Sequence, residues 1–467
     1  MNYTRTLAEY AVKLRYEDLP AEVIEQAKLL TLHVLGVALA ACVTRQGKDA
    51  TSLAKAMGGK KIESTIIGDG SKVSCVQAAF VNGTLADVLD WEDCSPTGHP
   101  SAGAIPSALA VGEKIDASGR DYITSVVAGY EVYQRIAMAI QPSFEFWKKT
   151  GWGLTSWQIF ASAVPAARLL QLDEDKMAQT IGIAAALTPV VSRKINPDSR
   201  SYFYHYQHGF TSRDGVVAAL TAQSGIDSMC DVLDGETGYW VSVSDKCDWD
   251  WMTKGLGKDY LIMQTYFKHW PANMWIQQYL DIVDAIIKED SLKADEVSEI
   301  IVSPSMQQKS SRMIHRPEGY LGIMDAEFSI PYCLAVLLHD PQPGPNWFTD
   351  DKLKDPEILK LAGKVRATDP EVNPYENFEI FQKGGYPEAR VEIITCDGRR
   401  LSKSLRYPKG HPKNRLTRDE YKERFRRTAS FVLKPDKVEA AIEKIFRLEE
   451  MDTVSEVMDL VHTKVTR

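Results

Sequence analysis

The sequence predicts a mainly α-helical protein with a second, smaller α+β domain. Up to about residue 265, apolar residues recur at three- and four-residue spacing, as in 121–140 and 156–172, which indicates amphipathic helices. After about residue 290, β-branched runs appear, and an Asp-Gly pair lies between two alternating segments, which predicts strands and a hairpin. A helical pattern returns near residue 417.

Each element has a local signal. Pro20 stands directly before an apolar, helix-forming run and predicts a helix start. The run Leu29–Cys42 is shorter than the ~20 residues that span a bilayer, so we expect a buried helix. Residues 297–305 predict a strand, and 389–407 predict a hairpin around Asp397-Gly398. Proline, aspartate and glycine in 340–390 predict surface connections, and Thr417 with Glu420 predicts a capping box.

These elements predict two domains. A chain of 467 residues exceeds the ~250–300 residues at which single cores stop growing. We expect a large all-helical domain from residues 1–265 and 415–467, and an α+β lid domain from 266–414. A cleft between two domains is a usual place for a small-molecule site.

Composition narrows the function. The net charge of −8 and pI of about 5.7 argue against a broad basic face for nucleic acid. The first twenty residues lack the order of a secretory signal, so we expect a cytoplasmic protein with no membrane segment. Seven scattered cysteines without a CxxC pair support free thiols rather than a disulfide framework or a zinc ribbon.

The richest segment in reactive groups is 86–101. It carries Asp87, Asp90, Glu92, Asp93, Cys94 and His99. A carboxylate that orients His99 would let this imidazole move a proton near neutral pH. The structural alternative is a solvated helix end, where Asp93 or Ser95 caps the next helix.

Two further segments carry candidates. Lys268 and His269 are adjacent in the aromatic stretch 266–275, where partial desolvation would lower the pKa of the lysine towards that of a base. Tyr332, in 328–334, offers a phenol as a donor. A surface lysine, a core histidine and a packing tyrosine are the plain alternatives.

Together these segments resemble the MmgE/PrpD family of dehydratases, decarboxylases and epimerases of small carboxylic acids. The resemblance covers nearly the whole chain, and its marks are residues 85–113, 166–184, 208–226, 232–240, 268–275 and 328–338. It implies a helical domain built from both chain ends, an α+β lid, a homodimer, and no metal or organic cofactor.

Carried over by position, the family's catalytic residues fall on Asp90, His99, Lys268 and Tyr332. In this assignment Lys268 and His99 share the acid and base roles, Asp90 sets the charge of His99, and Tyr332 is a donor. The resemblance also implies substrate-binding positions, which are Cys94, Thr155, Tyr204, His208 and His269.

Several positions depart from the family pattern. Cys94 stands where the family has threonine, and the loop before His99 is one residue shorter. Basic residues are replaced at Gly153, Tyr204 and Glu327. We therefore hypothesise a substrate with fewer carboxylates than methylcitrate or cis-aconitate, or with a cationic group. The alternative is that neighbouring cations replace the lost charges; these are His205, His208 and Arg213.

The expected function is a dehydratase-type lyase that abstracts a proton alpha to a carboxylate. An epimerase, isomerase or decarboxylase of a related di- or amino-dicarboxylate shares that first step and stays open. An inactive family member and a binding protein also stay open as alternatives. In a binding protein, Asp90, His99 and Lys268 would lie apart. A metal-dependent hydrolase lacks support, since the sequence holds no HExxH motif.

Overall fold

The computed structural model describes residues 2–57, 61–150, 156–189, 203–303, 313–368 and 388–463. Its first part is helical, as predicted. The helices are α1 (Tyr3–Lys13), α2 (Ala21–Ala41), α3 (Arg45–Met57), α4 (Cys75–Asp87), α5 (Ser101–Ile115), α6 (Gly119–Ala139), α7 (Phe144–Thr150), α8 (Gln158–Leu169), α9 (Glu174–Leu187), α10 (Phe203–Gln223), α11 (Trp240–Val243) and α12 (Asp250–Thr253).

Helices α4, α5, α8 and α10 pack on one another at the centre of this part, and small residues allow their close approach. A Cβ on Gly209 of α10 would lie 2.1 Å from Thr84 Oγ1 and 2.4 Å from the Phe80 carbonyl oxygen, both on α4. Only glycine permits this crossing. The crossing places the C-terminus of α4 beside the first turns of α10.

Helix α2 contains the long apolar run near the N-terminus. By length and composition it could cross a membrane, with a mean hydropathy of 1.5, yet 83% of its most apolar window is buried inside the protein. The expected buried helix is therefore confirmed, within a longer helix of 21 residues.

The second part contains α13 (Gln277–Asp290), α14 (Ile323–Glu327), α15 (Ile330–His339), α16 (Asp350–Leu353) and α17 (Pro356–Ala362). Short strands elsewhere are β1 (Ser64–Thr65), β2 (Lys72–Val73), β3 (Asp93–Cys94) and β4 (Tyr266–Phe267). The main sheet has β5 (Val297–Ser303), β6 (Val365–Ala367), β7 (Ala389–Thr395) and β8 (Arg400–Leu405) in the order β6-β5-β7-β8.

The sheet confirms the predicted hairpin. Strands β7 and β8 pair antiparallel, and Gly398 takes a positive φ of 87° in the turn between them. The expectation of surface connections in 340–390 is wrong for its first part. Residues 345–362 form a 3₁₀ turn and two helices around the buried Trp347, because Pro345 and Pro356 occupy first helical turns, where proline is tolerated. Residues 369–387 lie outside the described part.

The chain ends with α18 (Arg418–Ala429), α19 (Pro435–Phe446) and α20 (Ser455–Met458). Thr417 and Glu420 form the predicted capping box of α18. Helices α18 and α19 both pack on α2, so the C-terminal segment lies against the first part of the chain. The fold is a large helical assembly with a smaller α+β part, while the domain boundaries at 265 and 415 stay predictions.

Candidate active site

The loop from α4 to α5 holds its carboxylates inside the protein rather than in solvent. Asp90 adopts a left-handed conformation with φ 45°, which an aspartate tolerates better than most side chains. Strand β3 then pairs antiparallel with β4, with Asp93 opposite Phe267 and Cys94 opposite Tyr266. This pairing brings Lys268 to the loop across more than 170 positions of sequence.

Lys268 is fully buried between two carboxylates. Its Nζ donates to Asp90 Oδ1 and to Glu92 Oε1, and lies 3.5 Å from His99 Nδ1. Burial alone would lower its pKa, but Asp90 and Glu92 raise it above the usual lysine value. The expectation of a lowered pKa is therefore wrong, because the two carboxylates outweigh desolvation. Lys268 is an ammonium group here.

His99 forms the second contact of Glu92. Its Nδ1 lies 2.5 Å from Glu92 Oε1. Burial and Lys268 lower the pKa of His99, but Glu92 raises it more, so the net shift is upward. Burial raises the pKa of Glu92, yet Lys268 and His99 hold it below its usual range. His99 and Glu92 thus form a buried imidazolium–carboxylate pair.

A second ion group lies beside the first. His205, near the start of α10, has Nδ1 2.6 Å from Asp87 Oδ2 and Nε2 2.6 Å from Glu327 Oε1. Burial lowers the pKa of His205, but Glu327 and Asp87 raise it well above the ordinary value. Burial raises the pKa of Asp87 to about 6 and that of Glu327 to about 7.

The two groups meet at His208. Its Nε2 lies 3.3 Å from Asp87 Oδ1, and its ring stands edge-on to that of His99, with 5.4 Å between centroids. Burial, with His99, lowers the pKa of His208 well below the ordinary value, so its ring is neutral. Tyr204 packs edge-on against His208 at 5.4 Å. The predicted positions Tyr204 and His208 thus line the cluster.

Two of the side chains considered as replacements for the lost basic residues, His205 and Arg213, already pair with carboxylates. The charge of His205 is already balanced by two carboxylates, and Arg213 pairs with Asp214 at 2.7 Å with its guanidinium over the Phe210 ring. Neither replaces a lost basic position. Glu327, taken from sequence as a missing cation, instead contributes a carboxylate.

Asp93 and Cys94 have structural contacts. Asp93 accepts hydrogen bonds from the Ser101 N–H at 3.1 Å and the Tyr130 hydroxyl at 2.8 Å, as the capping alternative predicted for the start of α5. Cys94 is buried beside Lys268, and burial raises the pKa of its thiol well above the ordinary value. Its thiol is therefore neutral.

Two predicted residues lie away from the cluster. The Tyr332 hydroxyl donates to the Trp347 carbonyl oxygen, and its ring packs against Tyr320. His269 stacks on Trp270 at 4.9 Å and lies 3.8 Å from Asp281, in the bend that follows β4. Thr155 and Gly153 lie outside the described residues.

The structure adds Asp87, Glu92, His205 and Glu327 to the residues selected from sequence. Asp90 and Glu92 are only two positions apart, but the left-handed conformation of Asp90, which no strand or helix periodicity predicts, precedes the segment that leads to Glu92. The spacing of His205 and His208 places both near one helix face, but nothing local connects either with Glu327.

Three residues of the buried cluster lie close enough together to act as ligands of one metal ion. Asp87, Glu92 and His99 each offer an atom within 4.8 Å of the others, and carboxylate and imidazole suit divalent transition metals. Glu92 Oε1, however, already accepts hydrogen bonds from Lys268 and lies against His99.

Comparison with known proteins identifies the family of this chain. The family model for the MmgE/PrpD N-terminal domain matches residues 5–252, and that for the C-terminal domain matches residues 270–449. The chain belongs to the MmgE/PrpD family. Matches over most of the chain confirm the resemblance inferred from the motifs.

The relatives of this MmgE/PrpD protein are enzymes by name. The chain is 24% identical to a cis-aconitate decarboxylase of Aspergillus terreus, over 99% of this chain and 96% of the relative. It is 23% identical to the cis-aconitate decarboxylase of Homo sapiens, over 98% and 94%. It is 22% identical to a probable 2-methylcitrate dehydratase of Saccharomyces cerevisiae, over 89% and 84%.

Proposed function

We propose that this protein is a dehydratase-type lyase, similar to 2-methylcitrate dehydratase, that removes a proton alpha to a carboxylate of a small organic acid. The observation that carries the proposal is the buried convergence of Lys268 with Asp90, Glu92 and His99. Such a cluster supplies a fixed cation and a proton-carrying imidazole at one place.

Lys268 is the group for the substrate carboxylate. An ammonium group has three donors, and two of them go to Asp90 and Glu92. Nζ also lies 3.5 Å from His99 Nδ1, but a protonated imidazole accepts no hydrogen bond. The third donor therefore suits a substrate carboxylate oxygen, where the positive charge stabilises the negative charge that develops after proton removal. Asp90 orients Lys268.

His99 is the proton carrier, with Glu92 behind it. Asp87 is a second group that changes charge near neutrality, since burial raises its pKa to about 6. Two groups with separated pKa values suit an acid and a base. The imidazolium form of His99 suits proton donation to a departing hydroxyl group.

Decarboxylation is the second candidate. It needs a proton donor for the carbanion left after CO₂ departs, which a charged His99 also supplies, and several relatives are cis-aconitate decarboxylases by name. An epimerase would return the proton on the opposite face; no relative described above carries such a name. A binding protein predicts separated residues, and the burial of all four groups together counts against it.

Proton exchange in D₂O tests the proposal. NMR of di-, tri- and amino-dicarboxylic acids incubated with the enzyme should show deuterium at an alpha carbon. Lys268→Ala and His99→Ala should reduce the rate by at least about a hundredfold, the usual contribution of a positioned acid or base. Lys288→Ala, an exposed lysine, and His339→Ala, an exposed histidine, should leave it unchanged.

The proposal fails if no acid in the panel exchanges, loses water or releases CO₂. It also fails if Lys268→Ala and His99→Ala exchange at the wild-type rate. A cytoplasmic location, a homodimer and catalysis without a cofactor remain predictions that accompany the proposed reaction.

A further inference from the structure

The cluster carries more negative than positive charge. Its carboxylates are Asp87, Asp90, Glu92 and Glu327, all at least 98% buried. Its cations are Lys268 and, when both are protonated, His99 and His205; His208 is neutral. When all four carboxylates are ionised, they exceed the three positive charges by one, even with His99 and His205 both protonated. Protonation of Glu327, whose pKa burial raises to about 7, cancels that excess.

Each of these carboxylates also keeps one oxygen without a hydrogen-bond donor in the described part of the chain. These oxygens are Asp90 Oδ2, Glu92 Oε2, Glu327 Oε2 and Asp87 Oδ1, the last of which lies 3.3 Å from His208 Nε2 without an aligned hydrogen bond. Both ring nitrogens of the buried His208 likewise have no aligned partner there. A buried acceptor without a donor costs free energy. The site is therefore matched to a ligand that donates hydrogen bonds.

The charge of the ligand follows from the same residues. An ionised carboxylate accepts hydrogen bonds but donates none. Further substrate carboxylates beside these oxygens would also meet like charge in a medium of low dielectric. A zwitterion leaves the net charge of the site unchanged, whereas a tricarboxylate adds three negative charges. An ammonium group supplies three donors and one positive charge.

We propose that the substrate carries an ammonium group, held by Asp87 and Glu92, in addition to the carboxylate that Lys268 binds. Oxygens of Asp87 and Glu92 lie within 4.8 Å of each other, a separation that one nitrogen bridges with two hydrogen bonds of ordinary length. The site already holds one ammonium group, that of Lys268, against the same Glu92. This inference rests on the proposed function, since it names the substrate class of that reaction.

Glu327 influences the ligand specificity indirectly, through His205. By pairing with the second nitrogen of His205, it takes part of the positive charge that would otherwise fall on Asp87 alone. Asp87 therefore keeps negative charge for the ligand. Glu327 acts through His205 and is a positioning residue.

Calorimetric titration of the full-length protein with matched ligands tests the inference. The pairs differ only in an amino group, as in aspartate against succinate and glutamate against glutarate. We expect the amino member of at least one pair to bind at least tenfold more tightly. Asp87→Asn and Glu327→Gln should bring that ratio close to one without weakening the ligand that lacks the amine.

Glu131→Gln is the matched control. Glu131 is a fully buried carboxylate on α6 that accepts from the Ile262 N–H at 3.0 Å, outside the cluster. Its variant should keep the wild-type ratio. Because Asp87→Asn risks misfolding, Glu327→Gln, whose amide oxygen still accepts from His205, provides a second measurement.

Three results would overturn the inference. These are no preference for the amine in any pair, tighter binding of cis-aconitate than of every amino acid, and one tightly bound divalent metal whose chelation abolishes ligand binding. Deuterium exchange is scored separately. If an amino acid binds preferentially but no acid exchanges deuterium, the proposed reaction is wrong and the binding inference stands. If only a tricarboxylate exchanges deuterium, the proposed reaction stands and the binding inference is wrong.

Discussion

Glu92 sets the charge of His99 through a short contact between buried groups. Burial and Lys268 lower the pKa of His99, but Glu92, with a contribution from Asp87, raises it above the ordinary value. For a histidine with a raised pKa, the stabilising ion pair is complete below the unfolded value and is lost as the pH rises through the folded pKa. Proton donation by His99 should decline over the same rise in pH.

Glu92→Gln should therefore lower the pKa of His99 by on the order of one unit, the equivalent of about 1.4 kcal/mol. NMR titration of ¹³C-labelled histidine rings measures the shift, with His99→Ala to assign the signal among nine histidines. Glu113→Gln, at a buried carboxylate bonded to Thr65, is the control. An unchanged His99 titration in Glu92→Gln would contradict the pairing.

Sequence reasoning succeeded for residues whose neighbours along the chain carry the information. Asp90, His99 and Lys268 were selected by chemistry and by motif position, and the structure brings them together. Tyr332 and His269 were selected on the same grounds but contact Trp347 and Trp270 instead. Side-chain direction depends on packing partners far away in sequence, and no local pattern reports it.

At the scale of elements, the crossing of α4 and α10 holds Asp87 against His205 and His208. Gly209→Ala would push the helices apart, because a Cβ there falls 2.1 Å from Thr84 Oγ1 and 2.4 Å from a backbone oxygen. We expect a loss of stability of about 1–3 kcal/mol, the usual cost of overpacking a core, together with weaker coupling between Asp87 and His205.

Thermal and urea unfolding measure the effect of Gly209→Ala. Gly112→Ala on α5 is the control, because its nearest neighbour is a Val454 methyl group at 3.0 Å rather than a backbone atom. The control should cost clearly less. Equal destabilisation by both variants would show that the crossing has room to relax.

Elements with local signals were predictable. The hairpin at Asp397-Gly398 and the capping box at Thr417 depend on residues a few positions apart, and both are confirmed. The helices after residue 345 were missed, because their prolines look like loop residues in sequence and occupy helix N-termini in the structure.

At the scale of the whole molecule, α18 of the C-terminal segment reaches the site. Arg424 of α18 donates to the Lys268 carbonyl oxygen and lies over the Trp91 ring, 5.3 Å from its centroid. The Trp91 indole N–H in turn donates to the His269 carbonyl oxygen at 2.9 Å. The Lys268 segment is thus held both by the loop between α4 and α5 and by α18.

Arg424→Met should lower the exchange rate by about tenfold, since a hydrogen bond from a charged donor contributes about 1.5–3 kcal/mol. The D₂O assay measures it, with Arg426→Gln on the same helix as the control, because Arg426 pairs with Glu439 away from the site. A wild-type rate in Arg424→Met would show that Lys268 keeps its position without the hydrogen bond from α18.

The order in which the site's parts occur along the chain has a consequence for synthesis. The carboxylate loop is translated first, then α10, then Lys268, then Glu327, and Arg424 of α18 follows all of them. Domains fold as their residues leave the ribosome, amino terminus first. Until α18 emerges, the apolar face of α2 lacks a packing partner and the Lys268 carbonyl oxygen lacks its donor Arg424. We therefore expect a nascent chain that stops short of residue 418 to keep that face of α2 accessible to chaperones.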